Sequence, residues 1–190
     1  MNRTITWTTA VLSIAAVALL AFADDPQQPQ KAQPKAEPSA AASKPDDTAV
    51  ERSRKTVRML DDIYKQVIVL ITDKYVHDEE DFAAGSAAVL LFENLSKSEN
   101  QQVRLLDATG EPYDADNVAK DAFEKEGIKR IKAGEKGYEQ VVEENGKYSL
   151  RSMTPVPVVL ERCVMCHPHY KAAQKKNEAI GAISYRVPIE

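Results

Sequence analysis

Both cysteines of the chain and two of its three histidines fall in one short run, "RCVMCHPHY", at residues 162–170. Within it, Cys163-Val164-Met165-Cys166-His167 reads C-x-x-C-H. Two thiols three positions apart reach the two vinyl groups of one porphyrin, and the next residue can offer its imidazole to the iron. The spacing therefore predicts one covalent haem c, with Cys163 and Cys166 as thioether ligands and His167 as proximal axial ligand. The competing reading is a thiol or disulfide redox pair at Cys163 and Cys166. Such a pair needs no following histidine, and it normally opens a helix in a βαβ unit, for which the chain shows no pattern. A structural disulfide across so small a loop would stabilise little.

The first residues bear on that chemistry. Arg3 precedes an apolar run from about Ala10 to Ala23, which closes on Ala21-Phe22-Ala23. The run is shorter than the roughly 20 residues that span a bilayer, so residues 1–23 read as a cleaved signal peptide. An uncleaved membrane anchor is the alternative. Cleavage would remove Trp7, the one tryptophan, and leave no transmembrane span. It implies a periplasmic or secreted protein, where cysteines meet oxidising conditions and where c-type haem is attached. The whole chain carries a net charge of −4. Loss of Arg3 makes the remainder one unit more negative, which gives no electrostatic case for nucleic acid.

Residues 24–47, "DDPQQPQKAQPKAEPSAAASKPDD", hold no aromatic or β-branched side chain. They cannot bury enough apolar area to offset their ordering entropy, and read as a disordered linker. A domain at 48–190 follows. "TAVE" fits a capping box with Thr48 as N-cap. Val57, Leu60, Tyr64, Val67 and Ile71 then form one apolar face of a long helix, serving as core or as the seam of a homodimer. The acids Glu79, Glu80 and Asp81 suit the start of a second, Ala-rich helix running to about Leu95.

"QQVRLLD" reads as a strand and "DADNVAKDAFEKEGIKRIKAG" as a helix capped by Asp114 or Asp116 and stopped at Gly134. Two strands meet at a Glu144-Asn145-Gly146 turn. "PVPVV" is extended because proline excludes a helix interior. In the last strand Ile183, Tyr185, Val187 and Ile189 take one face, and Ala182, Ser184 and Arg186 the other. The order predicts an α+β domain, an antiparallel sheet flanked by helices, with the haem near the C-terminal strand.

From about residue 48 the chain resembles the PAS-like c-type haem sensor domains. The carrying stretches are "VRLLDATGEPYDADNVAKDAFE", with Glu124 conspicuous in its helix, "GKYSLRSMTPVPVVLERCVMCHPHY" and "GAISYRVPI". These single-haem extracytoplasmic modules often stand before histidine kinases and also occur alone. The resemblance implies a PAS-like fold and a haem used for one-electron transfer or for redox or gas sensing. It implies a redox partner protein or a small gas ligand. The family's turn usually reads Arg-Asn-Pro, where this chain has Gly110-Glu111-Pro112. The family's second helix often carries a Cys as sixth ligand. Here Leu91 and Phe92 stand in that stretch, and neither can ligate.

For the sixth position the chain offers His77 and Met153, with Met59 and His169 less well placed. Open or water-bound iron ranks ahead of either ligand, with Ala87, Ala88, Leu91 and Phe92 as an apolar wall over the distal face. Arg104 and Arg151, on predicted strands, are of the type that binds a haem propionate. A small peroxidase-like enzyme is a further alternative. It would need a distal acid or base, and His77 is the one histidine of the mature chain outside the motif segment.

Overall fold

The computed structural model describes residues 44–78, 81–97, 101–165 and 167–190. The expected signal segment, all of the linker before residue 44, Glu79, Glu80 and Cys166 lie outside these residues. Helix α1 (Asp47–Tyr75) opens the fold. Its cap is Asp46, whose Oδ1 accepts from the N–H of Ala49 at 2.7 Å, and not the expected Thr48. The carboxylate two residues earlier supplies the acceptor, and Thr48 is an exposed first-turn residue.

The buried stripe of α1 runs through Val50, Ser53, Val57 and Tyr64 to Thr72, with Ile68 packed beside it. The expected Val67 and Ile71 are only half-buried. A straight helix of 3.6 residues per turn drifts against a 3.5-residue repeat, so the contact line moves by about 40° over two heptads.

Asp81 does not start a helix as expected. Its carboxylate accepts from the N–H groups of His77, at 2.6 Å, and Asp78, at 3.2 Å, closing the turn after α1. Helix α2 (Ala84–Ser96) follows with no side-chain cap.

Four strands make the sheet: β1 (Gln102–Asp107), β2 (Tyr138–Glu144), β3 (Lys147–Pro157) and β4 (Ala179–Pro188). All pairings are antiparallel, in the order β1-β4-β3-β2. The β2–β3 hairpin turns on Asn145 and Gly146, both at positive φ (53° and 75°), which matches the strand twist. Helix α3 (Ala122–Lys132) lies between β1 and β2 in sequence. Its N-cap is Asp121, which accepts from the Glu124 N–H at 2.9 Å, in place of the expected Asp114 or Asp116. Those two acids belong to a loop: Asp114 Oδ1 takes the Asp116 N–H, and the Asn117 carbonyl takes the Asp107 N–H at 2.7 Å. Such local bonds compete with helix formation.

Helices pack on both sheet faces. Against α1 and α2 pack Val103, Leu150, Ile183, Tyr185 and Val187, with Tyr64 and Phe92 from the helices. Against α3 pack Leu106, Met153 and Ala182, with Phe123 and Ile131. The alternation of β4 is as expected, but Ala182 and Ser184 on the second face are also buried, because β4 is a central strand. Asp61 of α1 locks the first layer. Its Oδ1 accepts from Thr154 at 2.6 Å and Tyr185 at 2.9 Å, while Lys65 reaches Oδ2 at 2.8 Å. Among the described residues no helix is long and apolar enough to cross a membrane.

Candidate functional site

The cysteine segment bridges β3 and β4. After Pro157 the chain runs extended to a 3-10 helix (Glu161–Val164) that carries Cys163, passes through His167, and enters a short helix, α4 (Tyr170–Lys176). Sequence reading treats this stretch as a loop, because seven residues are too few to show helical periodicity. Asn177, left-handed at φ 56°, closes α4 and delivers the chain to β4.

Two bonds and two side chains position this segment. The Tyr170 N–H donates to the His167 carbonyl at 2.9 Å. The Arg162 guanidinium donates to the Asp73 carbonyl in the last turn of α1. Val164 is buried and Cys163 half-buried.

His167 sits in an aromatic setting. Its ring stacks on Tyr170 with centroids 4.6 Å apart, and meets Tyr113 edge-on at 5.4 Å and His169 edge-on at 5.7 Å. Tyr113 comes from the β1–α3 loop and is otherwise 82% exposed. Burial, helped by the neighbouring His169 and opposed by Asp107, holds the His167 imidazole below the ordinary histidine range. The neutral imidazole is the form that ligates a metal. Burial, then Asp107 and Cys163, push the Tyr170 phenol up. Asp107 is fixed at the end of β1, where its carboxylate accepts from Thr109 Oγ1 and the Gly110 N–H, both at 2.6 Å. Tyr113, Tyr170 and Asp107 are not singled out by sequence. Tyr170, three residues after His167, is the one adjacency could have flagged.

The other expected residues divide. His77 is exposed just beyond α1, and both it and Arg162 act electrostatically on Asp73, which Lys74 above all holds below the ordinary range. His77 therefore lies near the turn that carries Cys163. Met153 is fully buried on the α3 face, where a Cβ on Gly127 would stand 2.2 Å from its sulfur. It is a core side chain, not a residue open to a sixth iron position.

The expected apolar wall splits. Phe92 is 2% exposed and meets Tyr64 edge-on at 5.1 Å inside the core, while Leu91, the preceding residue of α2, is 38% exposed. Arg104 and Arg151 also leave the expected role. Strand alternation puts them on the α3 face, opposite to the side Asp107 takes. There Arg104 pairs with the buried Glu124, and Arg151 pairs with Asp121 at 2.7 Å over the Phe123 ring.

No curated relative matches the chain. One similar solved structure is the cyanobacterial heme-protein Tll0287, 11% identical, covering 73% of this chain and 95% of that one at a TM-score of 0.49. A family model described as Tll0287-like matches residues 30–188. On that match, which takes in both the sheet and the cysteine segment, the chain belongs to the Tll0287-like family.

Proposed function

We propose that this chain is an exported, PAS-like protein that holds one haem c covalently and uses it for one-electron transfer or for redox or gas sensing. The observation that carries the reading is the C-x-x-C-H run, with the half-buried His167 ring stacked on Tyr170 and met edge-on by Tyr113. Family membership supports it, because a protein of that family is described as a heme-protein.

The donor set fits such a group. Cys163 supplies one thiol, Cys166 the second, and His167 an axial nitrogen. A bound haem supplies a one-electron iron couple and, where one axial position is open, a place for a small gas. Tyr170 and Tyr113 restrict the swing of the His167 ring, and Asp107 stabilises positive charge on it. The docking of Arg162 on Asp73 ties the segment to α1, a route by which a change at the haem would be passed along the first helix. The exposed apolar residues Met59, Ile63 and Leu70 of α1 support pairing with a second copy.

His77 as sixth ligand is a second reading, favoured by its place beside the Asp73–Arg162 contact.

The test is one spectral series on the full chain, made with the c-type haem attachment machinery, reduced, and exposed to CO. A covalent haem spectrum, lost on Cys163→Ser or Cys166→Ser, is expected. A prompt CO shift means an open site and favours sensing. An unchanged spectrum favours electron transfer, with His77→Ala expected to open the site. A chain that takes no haem sinks the proposal and returns the two thiols to disulfide chemistry.

A further inference from the structure

The α3 face of the sheet holds a recess that α3 does not cover. Arg104, Arg151 and Arg186 enter it from β1, β3 and β4, with Ser184 and Gln102 between them. The register explains the grouping: Arg186 stands opposite both Gln102 and Arg151, and Arg104 opposite Ser184, so all point to one side. Asp121 and Glu124 close the end next to α3.

Three features point to a ligand. First, Arg151 Nε is a buried N–H with no acceptor among the described residues. Leaving a buried cationic donor unpaired is costly, and native structures seldom do it without a reason. Second, the lining holds three arginines against two carboxylates, and the third counter-charge, Glu144 on Arg186, comes from outside the lining, so its displacement would leave one positive charge in excess. That balance suits a single negative charge and disfavours a dianion. Third, the recess measures about 260 Å³. This lies near the lower end of small-molecule sites and is far larger than the ~30 Å³ share of a water. A guanidinium presents the planar fork that matches a carboxylate.

We infer that this recess binds a small monocarboxylate between Arg151 and Arg186. Glu144 holds the place in its absence. It reaches Arg186 from the rim, its side chain 62% exposed, as the edge of an ion pair that an entering carboxylate would replace. Arg104 is fully engaged, because Glu124 and the carbonyls of Asp116 and Val118 take its donors, while Arg151 gives Nη1 to Asp121 at 2.7 Å, has Glu124 4.0 Å from Nη2, and keeps Nε for the ligand. The recess lies on the sheet face opposite to the one Asp107 takes, and none of its lining residues belongs to the cysteine segment.

The experiment is calorimetric titration and thermal melting of the full chain with acetate and propionate, with phosphate and chloride as controls. The two carboxylates are expected to saturate one site and to raise the melting temperature. Glu144→Gln, an exposed change that leaves the core intact, should tighten binding about two- to five-fold by removing the competitor. Arg186→Gln, also near the rim, should weaken it at least about ten-fold. Absence of carboxylate binding at millimolar concentration overturns the inference. So does phosphate binding as tightly as acetate, or either variant leaving affinity unchanged.

Discussion

The guanidinium of Arg162 donates to the main-chain carbonyl of Asp73. The last carbonyls of a helix have no partner within it, so the arginine both satisfies one and places a cation at the negative end of α1. It fastens the turn bearing Cys163 to the end of α1. Arg162→Ala should cost about 0.5–1 kcal/mol. Amide exchange should rise in the last turn of α1 and in residues 161–165, with the sheet unchanged. Uniform exchange across the whole chain would refute the contact's local role.

Asp61 holds Thr154 and Tyr185 on one carboxylate oxygen. Tyr185→Phe and Thr154→Val should each lower stability by about 1 kcal/mol. Because both act on one acceptor, the double variant should depart from the sum of the two. Strict additivity in chemical denaturation would count against a shared network.

At Gly127 α3 lies close against the sheet. A Cβ there would lie 2.2 Å from the Met153 sulfur and 3.3 Å from the Tyr138 ring. Alanine is favoured over glycine in a helix by about 1 kcal/mol, but overpacking costs about 1–3 kcal/mol. Gly127→Ala should therefore destabilise. Adding Met153→Val should recover much of the loss, since the space is given back. A stabilised single variant would show that the methionine moves aside freely.

Asp121 gives the sign of an acid dependence. Burial raises its carboxyl, but bonds from Arg151 and from the N–H groups of Glu124 and Phe123 outweigh that and hold it below the ordinary range. A carboxyl held lower in the folded chain contributes stability that is full above the unfolded value, ~3.9. The contribution is lost as pH falls through the lower folded value. Denaturation midpoints measured between about pH 5 and 2 should fall with pH, and Asp121→Asn, which keeps a capping oxygen, should flatten that fall.

The strands, the β2–β3 turn and α1 were legible because alternation, turn chemistry and apolar spacing are local signals. Phe92 and Leu91 are adjacent, and only the crossing of α1 and α2 decides which of them meets Tyr64. Likewise, alternation puts Arg104 and Arg151 on the face of Ser184 and Arg186, but nothing local says that Asp121 and Glu124 will fold over that face. In the cysteine segment, residue types single out Cys163, Cys166 and His167 as candidates. Tyr113 reaches His167 from a different loop, a contact that only tertiary structure creates.

β4 is an interior strand of the sheet. Until β4 is in place β1 has no pairing partner and β3 has only β2. Most of the long-range pairing therefore waits on residues 179–188, and such topologies close slowly. Cys163 and His167 come just before that strand, so they stay accessible until the closing step. A chain built in this order keeps its thiols open to modification for as long as its folding allows.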